Sequence, residues 1–556
     1  MADLSVALKG ASTAFVTMEI AIAPEMRCYS GGLGVLAGDY LRAAADLALP
    51  MVFVTLANRE GYVLQEIDAQ GNQIDRPHPW EPGDHAVPLD TVVTVPVAGR
   101  DVAVRAWMHV SEGVTGARVA TLLLDTDLPQ NSAEDRALTG RLYGGDARYR
   151  LRQEAVLGIG AARLLSAIGL AIGHWHLNEG HAALLPLELV RAGSDIDTVR
   201  RACVFTTHTP VAAGRDRFAF GLMEAELPRD YRAAYDRVLP DAEDLDMTLL
   251  AMRLSGYANA VSKRHRDVAS DLYPGEDIAY VTNGVHPGYW AAPAMQALFD
   301  AQASGWREDS DALAAIAMTD PARVAQAHEA ARANLIESVR TRTGRQLDPQ
   351  RPILCYARRM TGYKRPTLMF EDLDRLRTIA RRHPFTLLIA GKAHPNDGGG
   401  KDAIRAIHDF ARQCDDMPSV VFLPGYGLEL AHLLVGGADV WLNLPVPPLE
   451  ASGTSGMKAA INGGLNLSTP DGWWLEGVRE GANGWTIGDG DTDPDRHGAL
   501  LLDMLAKTVL PAWYEDREGW NGMMRDAIAT IGPAFSAQRA MREYARDAYR
   551  FDGLRG

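Results

Sequence analysis

The feature that most constrains this chain is an alternation. Short runs rich in β-branched and aromatic residues recur along its 556 residues, separated by helical stretches. That is the pattern of an α/β architecture on mostly parallel sheets. In the first half TAFVTMEIAI, PMVFVTLA, TVVTVPVA, VATLLLDT and ACVFTTHTP read as strands. In the second half RPILCYARRM, FTLLIAGKA, SVVFLPGY and ADVWLNLPV do, and their unbroken apolar character is that of strands covered on both faces. Within 149–170, Leu151, Ala155, Leu157, Ala161, Leu164 and Leu165 supply the apolar positions of a helix. Residues 322–340 and 401–412 read as helices as well. No internal repeat or low-complexity stretch interrupts the pattern.

A chain of this length exceeds one hydrophobic core, so two or three domains are expected. A boundary is expected near VTNGVHPGYWAAPAM, residues 281–295, where Asn-Gly and two prolines punctuate the sequence. The simplest architecture is two Rossmann-like α/β domains, 1–290 and 291–556, facing a central cleft, with the last helices packing back on the first domain. In such sheets ligands bind beyond the carboxyl ends of strands. The loops that follow the strands are therefore the candidates for chemistry.

Charge narrows the partners. Fifty-six basic against 71 acidic residues give a net charge of −15, which argues against a general affinity for nucleic acid or anionic membranes. The four cysteines, Cys28, Cys203, Cys355 and Cys414, form no metal-spaced pair and read as reduced thiols of a cytoplasmic protein. MADLSVALKGASTAF lacks the basic start and long apolar run of a signal peptide. No stretch is apolar and long enough to span a bilayer. The expectation is a soluble, cytoplasmic protein.

The stretch EASGTSGMKAA, residues 450–460, surrounds Lys458 with small residues. It reads either as a turn before a helix starting near Met457, with a solvated lysine, or as a close backbone approach to a ligand with a nucleophilic amine. YSGGLGVLAGDY, residues 29–40, is either a glycine-rich turn or a loop whose amides at Gly31, Gly32 and Gly34 receive a phosphate at a helix start. CYARRMTGYKRP, residues 355–366, places Arg358, Arg359, Lys364 and Arg365 just after a strand, which is either a solvated surface patch or, the favoured reading, a setting for an anion such as phosphate. HWHLNEGHAA (174–183) and FTTHTPVAAGRDRF (205–218) read as polar loops. Their histidines lack the spacing of a zinc pair, so no metal is expected. Asn178, Glu179, His181 and His208 suit either a hydroxylated ligand or internal hydrogen bonds. GGGK at 398–401 fails as a nucleotide loop, because Asp402 replaces the Ser or Thr that holds magnesium. No nucleophile elbow of a Ser-His-Asp hydrolase is present.

Together YSGGLGVLAGDYL, YRLRQE, HLNEGHAAL, TTHTP, VTNGVHPGYW, ARRMTGYKRP, AGKAHP and EASGTSGMKAAINGGLNLSTPDG resemble the α-glucan phosphorylase family, in order over roughly residues 15–490. The SGTSGMK spelling is similar to that of its short bacterial and archaeal branch. The resemblance implies a two-domain (GT-B) glycosyltransferase fold and pyridoxal 5′-phosphate carried on a lysine. It implies phosphorolysis of α-1,4-glucans to α-glucose 1-phosphate with retained configuration. Its partners would be an oligo- or polysaccharide and inorganic phosphate, and a homodimer is compatible with it.

By the same matching, Lys458 is the cofactor lysine. Arg358, Lys364, Thr454, Gly456 and Trp290 complete the cofactor site. Arg359 and Lys364 grip the substrate phosphate, and the backbone N–H of Gly32 adds a contact to it. Gly31, Leu33, Asn283, Tyr363, Glu450, Ala451, Ser452 and Gly453 join the substrate site. The carbonyl of His208 lies near the anomeric carbon. Catalysis would rest on Lys458, Arg359, Lys364 and His208.

The chain departs from the pattern in places. It lacks the sizeable stretch usually found before the glycine loop. It has Val446 and Pro447 where the short branch carries two arginines, Ala213-Gly214-Arg215-Asp216 after HTPV, and Gly427 after Tyr426. Acceptor recognition is where a difference is expected, and the donor need not be a long glucan. Two other readings are a nucleotide-sugar glycosyltransferase of the same fold, using the basic cluster for a diphosphate, and a carbohydrate-binding relative with a decayed site.

Overall fold

The computed structural model describes residues 7–211, 215–414, 417–488 and 493–551. Its strands, in chain order, begin with β1 (Thr13–Thr17), β2 (Met51–Leu56), β3 (Leu64–Ile67), β4 (Gln73–Arg76), β5 (Val87–Val97), β6 (Arg100–Glu112) and β7 (Arg118–Asp125). They continue with β8 (His174–Asn178), β9 (Cys203–Thr206), β10 (Arg217–Phe218), β11 (Leu245–Asp246), β12 (Tyr257–Ala260) and β13 (Ile278–Tyr280). The second half adds β14 (Ile353–Ala357), β15 (Thr386–Ala390), β16 (Ser419–Leu423), β17 (Val440–Asn443), β18 (Leu465–Ser468) and β19 (Gly484–Thr486).

The chain divides into two compact units. The first comprises Met1–Tyr62, Pro77–Thr282 and Ala540–Gly556; the second comprises Val63–Arg76 and Asn283–Arg539. The first unit holds a nine-stranded sheet in the order β13-β12-β9-β8-β1-β2-β7-β6-β5. All its pairs are parallel up to β7, and β6 and β5 add antiparallel strands at one edge. The second unit holds six parallel strands in the order β16-β15-β14-β17-β18-β19. Numbered within this sheet the order is 3-2-1-4-5-6, the doubly wound order of dinucleotide-binding sheets.

Local chemistry sets the helix ends. Helix α1 (Gly32–Asp46) starts from Gly31. Helix α2 (Ala147–Ala167) is capped by Asp146, which accepts from the Tyr149 N–H. Helix α3 (Pro321–Thr343) has an aspartate cap at Asp320, proline in its first turn and a left-handed Gly344 (φ 71°) at its end, the expected order of helix punctuation. Gly38 and Gly158 mark where helices meet backbone closely. A Cβ on Gly38 would stand 2.1 Å from the Ala21 carbonyl oxygen, and one on Gly158 2.7 Å from the Leu185 nitrogen.

The strands and helices expected from the apolar runs are present, with one correction. HWHLN is not a polar loop: it is β8, between β1 and β9 in the middle of the first sheet. Its His176 is fully buried, with Nδ1 2.5 Å from the Tyr549 hydroxyl and Nε2 2.8 Å from Thr206 Oγ1. Burial pushes this imidazole down to about 3, so it is a neutral core residue. Among the described residues no helix is long and apolar enough to cross a membrane.

Candidate active site

In the second unit the strand order reverses between β14 and β17. The segments leaving their carboxyl ends diverge there and leave room for a ligand. The basic loop after β14 and the small-residue stretch after β17 both start at this point. Gly391, just past β15, lets the chain pass close by, since a Cβ there would stand 2.0 Å from the Arg358 carbonyl oxygen.

The charged groups of these two loops meet on one carboxylate. Glu450 Oε2 accepts from Lys364 Nζ at 2.6 Å and from Arg358 Nη2 at 3.2 Å. Glu450 and Arg358 are each only 8% exposed, so each charge needs its partner. Two guanidiniums and burial act on the same pair. Desolvation and Arg358 push Lys364 down to about 8 despite Glu450. The three cations hold the Glu450 carboxyl below its usual range against the penalty of burial. Tyr363 lies alongside, its ring 4.8 Å from Lys364 Nζ, and its carbonyl accepts the Val446 N–H at 2.8 Å. Arg358 Nη1 and Ser452 Oγ are buried without a hydrogen-bond partner among the described residues. Arg359 is exposed on the same loop. Arg365 is not part of an anion site. Its guanidinium donates to the carbonyls of Leu444, Pro445 and Pro494 at 2.8–3.0 Å and reaches His497 Nδ1, which makes it a structural clamp.

Lys458 lies in a six-residue helix, α4 (Ser455–Ala460), that starts after Thr454 rather than near Met457. The amine is not solvated: Lys458 is 6% exposed, and its Nζ sits 4.0 Å above the ring of Trp290. Trp290 in turn stacks on His432 at 4.4 Å, and Asn462 Nδ2 donates to both the Trp290 and Lys458 carbonyls. The small residues are required. A Cβ on Gly456 would stand 2.2 Å from Asn466 Oδ1, and one on Gly453 3.1 Å from Arg358 Nη2. Asn283 Nδ2 donates to the Ser452 carbonyl at 3.2 Å, next to the buried Ala451. An amine over an indole and a buried guanidinium nitrogen without a partner suit a flat group carrying a phosphate.

The first unit carries its own polar group, where its sheet order reverses between β1 and β8. The amides of Ser30 and Gly31 donate to Glu19 Oε2 at 2.5 and 3.0 Å, and Tyr143 donates to Oε1 at 2.9 Å. The Gly31 N–H is thus taken by an internal carboxylate rather than offered to phosphate. Gly32 and Leu33 open α1, whose first N–H groups have no helical acceptor, and a Cβ on Gly32 would meet nothing within 4 Å. His208 is held from two sides. Its backbone N–H donates to Glu179 Oε2 at 2.7 Å, and its Nε2 lies 2.7 Å from Asn178 Oδ1. With the amide oxygen as acceptor, the ring proton sits on Nε2. Burial pushes His208 down to about 3, so it is neutral. Glu179 also accepts from Gly180 and Thr209, and Asn178 donates to Thr17. His181 Nε2 lies 3.4 Å from Asp216. Asn178, Glu179 and His208 thus hold one another, whereas His181 Nδ1 is buried without a hydrogen-bond partner among the described residues. Arg215 stacks on Tyr273 at 4.8 Å, whereas Ala213 and Gly214 lie outside the described residues.

Sequence reasoning missed Glu19 and Asp471. Each stands just past a strand end, the position where α/β sheets place functional groups; Asp471 accepts the Glu450 N–H at 2.8 Å.

Two α/β units with mostly parallel sheets, the second carrying a buried lysine and clustered cations in the segments at a strand-order reversal, define a ligand-binding enzyme architecture. Residues 237–484 match the model of the carbohydrate phosphorylase family. The chain is 35% identical to the maltodextrin phosphorylase of Thermococcus litoralis, over 96% of this chain and 70% of that protein. It is 37% identical to the glycogen phosphorylase of Mycobacterium tuberculosis, over 98% of this chain and 72% of that one. It is also 30% identical to an uncharacterized protein of Methanocaldococcus jannaschii, over 97% and 99% of the two chains. The chain belongs to the carbohydrate phosphorylase family, a family of glycosyltransferases.

Proposed function

We propose that the chain is a pyridoxal 5′-phosphate-dependent α-glucan phosphorylase with the two-domain (GT-B) glycosyltransferase fold. It would transfer an α-1,4-linked glucosyl unit to inorganic phosphate and release α-glucose 1-phosphate with retained configuration. The observation that carries this reading is the Lys458 amine, buried 4.0 Å above the Trp290 ring.

Lys458 would bear the cofactor, Trp290 would face it, and Gly456 and Thr454 would leave it room. Arg358, with one nitrogen unpaired, would hold its phosphate. When bound, that phosphate supplies a group with a second pKa near 6, suited to proton exchange at neutral pH.

Arg359 offers a planar fork and Lys364 a point charge to the substrate phosphate. Lys364 now rests on Glu450, and a phosphate dianion is a stronger competitor for that ammonium than a single carboxylate. Glu450, Tyr363, Asn283 and the 451–453 turn would hold the glucosyl ring. The Gly32 N–H, in the first turn of α1 where no helical carbonyl accepts it, would donate to the transferred phosphate. His208, kept neutral by burial, would contribute its carbonyl to the positive charge that develops at the anomeric carbon.

Borohydride reduction followed by peptide mass mapping tests the reading. A pyridoxyl adduct on Lys458 supports it, and phosphate-dependent release of glucose 1-phosphate from maltodextrins is then expected. Protein that shows no adduct after incubation with pyridoxal phosphate refutes it and directs attention to nucleotide sugars.

A further inference from the structure

The loop that delivers Glu450 has few backbone donors of its own, and among the described residues only the Leu449 N–H, given to the Val446 carbonyl at 2.8 Å, ties it to itself. It runs through Pro445-Val446-Pro447-Pro448, and proline has no N–H to give. Within that stretch the one donor, the Val446 N–H, goes to the Tyr363 carbonyl. Arg365 holds the Leu444 and Pro445 carbonyls, and the rest of the anchoring comes from the segment after the next strand. β17 and β18 run parallel, with Asn443 opposite Ser468, so the segment after β18 travels beside the loop after β17.

That segment holds the loop at both ends. Thr469 donates its N–H to the Asn443 carbonyl at 2.9 Å and its hydroxyl to the Pro445 carbonyl at 2.8 Å. Asp471 closes the other end. It is 1% exposed, and its carboxylate accepts the Glu450 N–H at 2.8 Å and the Gly472 N–H at 2.9 Å. Gly472 adopts φ 56°, and a Cβ there would stand 3.3 Å from both the Glu450 carbonyl oxygen and Ser452 Cα. Charge-assisted bonds from a buried carboxylate to backbone amides are among the stronger ones in a fold.

We infer that Asp471 is a positioning residue: by gripping the Glu450 amide it sets the 450–453 turn and aims the Glu450 carboxylate at Lys364. Its effect on phosphorolysis rests on the function proposed above, whereas its effect on Lys364 does not. Asp471→Asn keeps the size but turns an amide NH2 toward one of two N–H groups, so one anchor is lost. A misplacement of about 1 Å at a reacting group costs about hundredfold in rate.

The test compares Asp471→Asn with the unmodified protein by brief acetic anhydride labelling at pH 7, read peptide by peptide. Lys507, largely exposed, serves as internal reference. The expected result is a severalfold rise in acetylation of Lys364 relative to Lys507, at a labelling temperature well below the melting point of both proteins. A fall of about hundredfold in kcat with unchanged Lys458 adduct formation should accompany it. Unchanged Lys364 labelling overturns the inference. If the unmodified protein shows no phosphorolysis, the functional reading falls while the labelling contrast still decides the role of Asp471. Gly472→Ala perturbs the same turn from its other side and should raise Lys364 labelling too. If Asp471→Asn does not fold and Gly472→Ala leaves labelling unchanged, the inference is likewise overturned.

Discussion

Replacing Glu450 by glutamine should destabilise the protein by an amount that depends on pH, and the dependence has a calculable shape. Glutamine keeps an oxygen for Arg358 Nη2 but removes the charge that raises the Lys364 pKa. The variant can escape an unpaired buried ammonium by releasing its proton. With Lys364 at about 8 in the intact site, that release costs about 1.4 kcal/mol at pH 7 and about 2.7 kcal/mol at pH 6. These figures bound the contribution of Lys364 to the loss. In the unfolded chain the lysine titrates near 10.4 and holds its proton throughout this range. Below pH 8 the unmodified folded protein holds it too, so its Lys364-linked stability is flat. The folded variant does not, so its stability rises with pH from the start; above about 8 the unmodified protein is deprotonated too, the two rise in parallel, and the difference between them stops changing. The urea midpoints of the two proteins should therefore differ most at pH 6, less at pH 7 and least at pH 8.5. The rise in KM for phosphate at high pH should move to lower pH in the variant. A midpoint difference equal at pH 6 and pH 8.5 would refute the assigned Lys364–Glu450 coupling.

Three further outcomes are expected. Lys458→Ala should give no reduced pyridoxyl adduct and no phosphorolysis, and full activity in that variant would overturn the cofactor assignment. Arg359→Ala should raise KM for phosphate about 10- to 100-fold, from loss of one charge-assisted contact of about 1.5–3 kcal/mol, with a smaller change in kcat; the reverse split argues against phosphate binding there. Asp439→Asn should cost about 3–5 kcal/mol in chemical denaturation, because the buried Asp439 pairs with Arg332 at 2.9 Å and His328 at 3.2 Å. A loss below about 1 kcal/mol would show that the cluster relaxes around a neutral amide.

The sequence by itself determined the α/β class and most strand and helix positions. An apolar run such as SVVFL records that both faces of a strand are covered, whatever covers them. It also placed Lys458, Arg358, Arg359 and Lys364 in the segments that follow strands, since glycine and cation clusters are local signals. Only the tertiary structure decided which charges meet. Lys364 and Glu450 are 86 residues apart in the chain and 2.6 Å apart in space. Arg365, one residue further on, turned out to clamp carbonyls instead. The histidines of HWHLN read as polar because nothing local shows that Tyr549, 373 residues away, buries His176 and accepts or donates its hydrogen bond. Backbone periodicity is written residue by residue, whereas the pairing and burial of charge depend on which strand ends the sheet order brings together.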